Sequence, residues 1–295
     1  MNVAGKVAVV TGAAGGIGRA LAIEFARAGA DLILADIDEA GLAEVEARVR
    51  EAGRRALSVR TDVSRAEDVE ALAGRAFAEM GRVDVLVNNA GVTTIGEAAL
   101  TPLADWRWVL GVNLHGPIHG VLAFVPRMIA QGGGGHVVNT ASMAGLVGVP
   151  WLVPYVVSKF GVVGLSESLR VELAPHGIGV TVVCPGFVAT GIARSARSES
   201  CAPNPDALHE MGVGPDVVAK RVLAAVRADR LYVFSGLRWR LLWLAKRLAP
   251  ALFARAVGAA SRSRRVRSRI FQDGRTCSTD SASAGPESAR RSTTS

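Results

Sequence analysis

Four polar side chains have the types and the spacing needed to move a proton at a substrate hydroxyl. Tyr155 and Lys159 lie four residues apart, so on a helix they share one face. A free phenol titrates near ~10, which is too high for an efficient base, and a neighbouring ammonium group lowers that pKa. Ser142, 13 residues before Tyr155, can orient a substrate oxygen and stabilise charge on it. Asn113, inside a predicted helix, is a candidate to hold a water that relays protons to Lys159.

A glycine-rich turn near the start of the chain could hold a phosphate group. The apolar, β-branched run 7–10 ends at Gly12, Gly16 and Gly18, and apolar residues at helical spacing follow. This order predicts a strand, a tight turn and a helix. Glycines allow positive φ and close approach of a ligand, and the helix start points free N–H groups at the turn. The turn therefore predicts a pyrophosphate site, and the alternative is a βα loop that binds nothing.

Three separated motifs, over about residues 6–235, resemble the short-chain dehydrogenase/reductase family of the single-domain Tyr-x3-Lys type. They are Gly12-x3-Gly16-x-Gly18 after Thr11, the run Asn88-Asn89-Ala90-Gly91, and the Tyr155/Lys159 pair. The resemblance implies a Rossmann-like, doubly wound parallel α/β sheet of about seven strands. It implies an NAD(P)-dependent oxidoreductase that interconverts a secondary alcohol and a ketone, with Tyr155 as general acid and base. It further implies that Asn113, Ser142, Tyr155 and Lys159 form the catalytic tetrad, in a homodimer or homotetramer.

The resemblance also assigns residues to the cofactor. Asp62 would meet the adenine amino group, Val63 would supply a backbone contact, and Asn89 would lie beside the adenine ribose. A backbone group of Val188 and the Thr190 hydroxyl would hold the nicotinamide carboxamide. The full predicted cofactor set is Gly12, Gly16, Ile17, Gly18, Asp36, Asp62, Val63, Asn89, Ala90, Gly91, Tyr155, Lys159, Pro185, Gly186, Val188 and Thr190.

Asp36 bears on the choice between NAD and NADP. It ends the predicted second strand, 18 residues after Gly18, where a carboxylate can accept hydrogen bonds from ribose hydroxyls. The same carboxylate would repel a 2′-phosphate, and Ile37 and residues 13–15 supply no base to bind one. We therefore expect NAD rather than NADP. The alternative for Asp36, and likewise for Asp62, is a helix N-cap.

Composition limits the class of protein. Of the 295 residues, 49% are hydrophobic, which is enough for a large core. Residues 231–272 contain ten lysines and arginines and no acids, so the net charge of +8 comes from this C-terminal region. The position of the charge argues against a nucleic-acid groove on the rest of the chain. Cysteines 184, 201 and 277 form no CxxC pair, which favours a reducing cytoplasm, and the histidines predict no metal site. We expect no signal peptide and no uncharged apolar run long enough to cross a membrane.

Strands and helices alternate in a way that would bring the candidate residues together. Strands are predicted at 7–11, 31–35, 56–60, 83–87, 136–140, 180–184 and 231–235, and helices at 39–52, 66–80, 102–130, 155–173 and 215–228, in addition to the helix after the glycine turn. This alternation predicts parallel strands with helices on both faces. Most candidate residues follow strand ends, so one crevice at the carboxyl edge of the sheet would collect them. We assign 1–236 to the catalytic domain.

Two further regions bear on substrate and partners. The family resemblance implies that segment 191–214 covers the substrate. Loop 143–154 is strongly apolar, which favours a lipophilic substrate or ordinary packing. In 237–270, Leu237, Leu241, Leu244 and Leu248 form a stripe among basic residues and two tryptophans, typical of an anchor on an anionic membrane. The alternative is a helix that packs on its own domain or on a dimer partner. Residues 271–295 are expected to be disordered. A second class, a non-catalytic nucleotide-sensing protein on the same fold, stays open.

Overall fold

A seven-stranded parallel sheet forms the centre of the computed structural model, which describes residues 1–198 and 204–263. The strands, in chain order, are β1 (Val7–Thr11), β2 (Asp31–Asp36), β3 (Ala56–Arg60), β4 (Val85–Asn88), β5 (Gly135–Thr140), β6 (Ile178–Cys184) and β7 (Tyr232–Phe234). Their spatial order is β3-β2-β1-β4-β5-β6-β7, with every pairing parallel. The predicted doubly wound fold is confirmed.

Helices cover both faces of this sheet. They are α1 (Gly16–Arg27), α2 (Glu39–Glu51), α3 (Ala66–Met80), α4 (Leu103–Leu110), α5 (Gly116–Gln131), α6 (Val153–Glu172), α7 (Pro205–Glu210), α8 (Pro215–Arg227), α9 (Leu237–Leu248) and α10 (Pro250–Ser261). Leu21 and Phe25 of α1 are fully buried on one face, and Phe124 and Met128 of α5 on the other. Each face therefore has its own apolar core, as expected for a sheet buried on both sides.

The order of the strands reverses beside β1. This strand pairs with β2 on one side and with β4 on the other, so the chain crosses over the sheet between them. A crevice opens at the carboxyl ends of strands at such a reversal, and ligands bind there in open α/β sheets. The candidate residues that follow β1, β2, β4 and β5 are arranged around this crevice.

The predicted helix over 102–130 contains a break in its hydrogen-bond pattern. A π-helical turn, Gly111–His115, separates α4 from α5 and carries Asn113. The whole segment Leu103–Gln131 is long and apolar enough, by length and composition alone, to cross a membrane, so the expectation of no such run was wrong. Its buried residues pack against the sheet and α3, which is typical of a core helix.

The C-terminal helices α9 and α10 lie against the main body. Trp239, Leu242, Trp243 and Phe253 pack on a third apolar cluster next to β6 and α6. The alternative that 237–270 packs on its own domain is therefore correct for one face of these helices. The boundary at 236 stays a prediction, while the expected tail at 271–295 and the basic residues from 264 onward lie outside the described residues.

Candidate active site

The structure brings Ser142, Tyr155 and Lys159 together at the end of β5 and the start of α6. Ser142 follows β5, and its hydroxyl is hydrogen-bonded to the Tyr155 phenol. Lys159 is one turn further along α6, and its ammonium nitrogen lies 5.5 Å from the centre of the Tyr155 ring. The Lys159 nitrogen donates a hydrogen bond to the Thr140 carbonyl at 2.8 Å. This hydrogen bond fixes a buried cation beside the phenol, as the i,i+4 spacing predicted.

The electrostatics of the pair differ from the sequence-based expectation. Burial raises the pKa of Tyr155, and the hydrogen bond from Ser142 opposes that rise. Burial also lowers the pKa of Lys159 to about 8. The lowering of the Tyr155 pKa expected from Lys159 is therefore not found in the protein alone. A positive nicotinamide ring would supply the missing charge next to the phenol.

The lowered pKa of Lys159 predicts a pH-dependent cost to folding. Between pH 8 and 10.5 the unfolded chain keeps the lysine proton and the folded chain loses it, so stability rises with pH across this window. In Lys159→Met this rise should be absent, and the stability difference between wild type and variant should change by roughly 3 kcal/mol. Denaturant unfolding at pH 7, 8, 9 and 10 measures it. A difference that does not vary with pH would contradict the prediction.

Asn113 is completely buried in the π-helical turn and holds the loop after β4. Its side-chain oxygen accepts the Val92 N–H at 2.8 Å, and its nitrogen donates to the Val92 carbonyl at 2.9 Å and to the Ser158 hydroxyl at 3.1 Å. A Cβ built on Gly91 would lie 3.5 Å from both the Asn113 oxygen and the Lys159 nitrogen. Asn113 thus positions the backbone beside Lys159. The predicted water relay stays a prediction.

The glycines of the first turn are required by close contacts. Gly12 has φ of +66°, and a Cβ there would lie 2.7 Å from the Cα of Ala90. A Cβ on Gly18 would lie 1.9 Å from the Gly12 carbonyl oxygen, so no side chain fits. Gly16 has φ of +51°, and its nearest neighbour is the Thr190 methyl group, 3.1 Å from a built Cβ. The two predicted ends of the cofactor site, the phosphate turn and the carboxamide segment, therefore meet at Gly16.

The start of α1 fits a pyrophosphate. Its N-cap is Gly15, which has no side chain to cap the helix, and the first turn carries no acidic residue. Ile17 lies in this turn and packs partly on the core. Backbone N–H groups at such a helix start bind anions. A Cβ at Gly15 would meet nothing within 4 Å, so the space in front of this helix start is open to a ligand.

Asp36 is held at the end of β2 by two backbone hydrogen bonds. Its carboxylate accepts the N–H of Ala14 at 3.0 Å and that of Asp38 at 3.1 Å. The N-cap of α2 is Asp38, which accepts the Gly41 N–H at 3.1 Å, so the cap alternative for Asp36 was wrong. The Asp36 carboxylate instead joins β2 to the glycine turn, so it lies beside the predicted pyrophosphate site.

Asp62 and Val63 form the turn after β3. One Asp62 oxygen accepts the N–H of Ser64 at 2.9 Å and its hydroxyl at 2.7 Å. The cap position of α3 is Arg65, so Asp62 stabilises the preceding turn rather than the helix itself. The Val63 carbonyl lies 2.9 Å from Nδ1 of His119 on α5. The adenine contacts assigned to Asp62 and Val63 stay predictions.

Asn88 and Asn89 tie neighbouring strands together at the end of β4. The Asn89 amide donates to the Thr11 carbonyl at 3.0 Å and accepts the Thr140 hydroxyl at 3.2 Å. The Ala90 N–H donates to the Thr11 hydroxyl at 3.1 Å. Asn88 bonds to Asn139 of β5 at 2.9 Å. The carboxyl ends of β1, β4 and β5 are thus locked around the crevice.

The segment after β6 is held from two sides. The Pro185 carbonyl accepts the Met143 N–H at 2.8 Å, which links it to the Ser142 loop. The Gly186 N–H donates to the Ser235 hydroxyl at 3.0 Å. Further along, Val188 pairs with Val213. This segment therefore runs from the Ser142 loop, which it contacts at Pro185, to the glycine turn, where Thr190 lies beside Gly16.

Trp239 of α9 lies directly on Gly186, a contact that sequence reasoning missed. A Cβ built on Gly186 would lie 2.0 to 2.4 Å from three atoms of the indole ring. The ring of Phe187 meets the same indole edge-on, with centroids 6.0 Å apart. No spacing pattern connects the two positions, which are joined only by the tertiary fold. The C-terminal helix thus supports the segment assigned to the nicotinamide.

Gly186→Ala should displace the Trp239 ring because the new methyl group overlaps it. We expect a loss of about 1–3 kcal/mol in unfolding free energy, the usual cost of overpacking, together with a red-shifted tryptophan fluorescence. Gly148→Ala is the matched control, since a Cβ there meets nothing within 4 Å. Gly186→Ala should cost less stability in a Trp239→Leu background than in the wild type, because the indole ring that the new methyl group would overlap is absent. Equal stability of the two alanine variants would contradict this packing.

Arg197 fastens the predicted cover segment to α4, a second contact that the sequence did not indicate. Its backbone pairs with the loop after β4 through Thr93 and Ile95. Its guanidinium reaches Asp105 at 3.1 Å and stacks 3.8 Å from the centre of the Trp108 ring. Nearby Trp151 of the apolar loop has φ of +63°, unusual for an aromatic residue. The Trp151 carbonyl accepts the Gly96 N–H at 2.9 Å, so both loops are joined to the loop after β4.

Comparison with known proteins identifies the family of this chain. The family model described as short chain dehydrogenase matches residues 6–200. A Mycobacterium tuberculosis protein named "Probable oxidoreductase EphD" is 40% identical over 234 residues, covering 75% of this chain but only 39% of that protein. Estradiol 17-beta-dehydrogenase 11 of Macaca fascicularis is 34% identical over 255 residues, covering 85% of this chain and 82% of that one.

Solved structures share the whole architecture. A Burkholderia phymatum short chain dehydrogenase/reductase in complex with NAD has a TM-score of 0.80 and 36% identity, covering 85% of this chain and 96% of that one. The matched region includes the glycine turn, Ser142, Tyr155 and Lys159. The chain belongs to the short-chain dehydrogenase/reductase family of oxidoreductases.

Proposed function

We propose that this protein is an NAD-dependent oxidoreductase that interconverts a secondary alcohol and a ketone on a lipophilic small molecule. The observation that carries the proposal is the Tyr155 phenol, hydrogen-bonded to Ser142, with the centre of its ring 5.5 Å from the Lys159 nitrogen. These are the groups needed to move a proton on and off a substrate oxygen.

Each residue of the site has a distinct part in this chemistry. Tyr155 takes the hydroxyl proton in oxidation and returns it in reduction, while the Ser142 hydroxyl orients the substrate oxygen. Lys159, fixed by Thr140, keeps positive charge near the phenol. In this proposal it also bonds the cofactor ribose. Asn113 holds the Gly91 and Val92 backbone against them. When bound, the nicotinamide accepts or supplies the hydride.

Asp36 supports NAD as the cofactor. Its carboxylate stands at the end of β2, next to the turn that fits the pyrophosphate, and Ile37 beside it is 61% exposed. The guanidinium of Arg60, opposite Asp36 on β3, lies 3.7 Å from Glu39 and is directed to that acid. A 2′-phosphate would therefore meet a carboxylate. The Burkholderia relative solved with NAD has the same fold.

The apolar loop supports a lipophilic substrate only in part. Met143, Leu146 and Val147 are buried in the core, so their apolar character serves packing. Trp151 and Leu152, just before the start of α6, are partly exposed. The name of the macaque relative refers to estradiol, an apolar secondary alcohol. A homodimer or homotetramer and a cytoplasmic location remain proposals that rest on the family resemblance and on cysteine usage.

Absorbance at 340 nm tests the reaction directly. The full chain is incubated with NAD, and separately with NADP, against sterols, retinoids, long-chain alcohols and simple secondary alcohols. Signal with NAD on the lipophilic members supports the proposal, and signal only with NADP would overturn the assignment of Asp36. No signal with any alcohol, together with tight NADH binding, would favour the nucleotide-sensing alternative.

A further inference from the structure

We propose that the outward face of α9 and α10 docks on the surface of an anionic lipid bilayer. The face consists of five leucines, here called the leucine row: Leu237, Leu241, Leu244, Leu248 and Leu252. Their side chains are 69%, 56%, 38%, 85% and 68% exposed, respectively. The sequence predicted an amphipathic helix at this place, and the structure shows which side is open.

The two apolar sides of α9 have different partners. Trp239, Leu242 and Trp243 face inward and pack on the third cluster. The Trp243 ring lies 5.1 Å from the ring of Tyr232 and 5.6 Å from that of Phe234, centre to centre. At 100° per residue, the leucines of α9 project from the opposite side of the same helix. The tryptophans are therefore not the membrane contact that the sequence indicated, because the protein itself uses them.

Basic side chains border the leucine row. Arg240 and Arg247 project from one side of it and Arg238 from the other, and all three are exposed. Arg238 and Arg247 lie along the inward tryptophans, 4.8 and 5.1 Å from the ring centres. Residues 237–263 contain no aspartate or glutamate. An apolar face bordered by cations is complementary to lipid tails beneath anionic headgroups.

A second copy of the chain is a poorer occupant of this face. In a two-fold contact each leucine row would meet its own copy, and the bordering arginines would face arginines of the second copy, since 237–263 contains no acidic residue. Like charges across an interface oppose association. An anionic bilayer neutralises these arginines and covers the leucines together. We therefore commit to lipid, and the second copy becomes an outcome of the test.

Docking would place the active site near the bilayer. Trp239 stands between the leucine row and Gly186, so one helix diameter, roughly 10 Å, separates the docking face from the predicted nicotinamide segment. A lipophilic substrate dissolved in the bilayer would then lie close to the crevice. That consequence rests on the proposed function, whereas docking itself does not.

Vesicle co-sedimentation of the full chain tests the proposal. We compare vesicles of phosphatidylcholine alone with vesicles that also contain phosphatidylglycerol. Wild type should pellet with the anionic vesicles and much less with the neutral ones, and added salt should release it. Leu241→Gln/Leu248→Gln should lower the bound-to-free ratio at least tenfold. Leu122→Gln/Val171→Gln is the matched control, since these residues of α5 and α6 are 67% and 77% exposed.

Two outcomes would overturn lipid docking. One is equal pelleting of wild type and Leu241→Gln/Leu248→Gln, which would assign any binding to other parts of the chain. The other is a wild type that stays in solution and elutes as a dimer that the same variant converts to a monomer, which would make the leucine row a contact between copies. NADH binding, measured for every variant, shows that each is folded. Because the readout is sedimentation, a failed alcohol assay would leave this result intact.

Discussion

Tyr155→Phe should lower kcat for alcohol oxidation about 10²–10⁴-fold, the usual contribution of a general acid or base. Phenylalanine keeps the ring that lies 5.5 Å from the Lys159 nitrogen, so the change removes the hydroxyl that Ser142 contacts and little else. Because the lost group handles the substrate proton, NADH affinity should stay within about twofold. Steady-state rates at 340 nm and NADH fluorescence titration measure the two quantities separately.

The chain provides a matched control for this variant. It has two tyrosines, and Tyr232 hydrogen-bonds to Glu167 and stacks on Phe234, away from the Ser142 hydroxyl. Tyr232→Phe should leave kcat nearly unchanged. If Tyr155→Phe keeps more than a tenth of the wild-type rate, Tyr155 is not the acid and base. If both variants merely bind NADH and neither they nor the wild type turn over, the sensor alternative gains support.

The parts of the site that follow from local rules were predictable. Tyr155 and Lys159 meet because an α-helix places residues four apart on one face, which is a property of the backbone alone. Gly12, Gly16 and Gly18 were recognisable because a strand, a sharp turn and a helix in succession demand residues without side chains. The sheet followed from β-branched runs that alternate with amphipathic helices.

The parts that depend on tertiary packing were not predictable. Trp239 and Gly186 belong to distant parts of the chain, and only the fold of β7 and α9 brings them together. The inward direction of the tryptophans, which excludes them from the proposed membrane contact, has the same origin. The pKa of Tyr155 rises because the folded chain buries the phenol, an effect that no spacing encodes. The π-helical turn at Asn113 was likewise not predicted, because the sequence pattern indicated a continuous helix over 102–130.

The cofactor preference is predicted to reverse in part when Asp36 loses its charge. Asp36→Asn removes the carboxylate that would bond the ribose hydroxyls and repel a 2′-phosphate. Hydrogen bonds to charged groups contribute about 1.5–3 kcal/mol, so NAD should bind roughly 10–100-fold more weakly. NADP should bind more tightly because the repulsion is gone. The ratio of kcat/KM for NADP to that for NAD should therefore rise roughly a hundredfold.

Asp38→Asn is the matched control, since it removes the same charge two residues away. Asparagine caps a helix about as well as aspartate does, so the α2 cap at Gly41 should persist and the cofactor ratio should not change. Asp36 also binds the Ala14 and Asp38 N–H groups, and asparagine keeps one acceptor oxygen for them. Thermal unfolding of both variants separates that structural loss from cofactor choice. A fall in both NAD and NADP turnover with an unchanged ratio would mean that Asp36 shapes the glycine turn without selecting the cofactor.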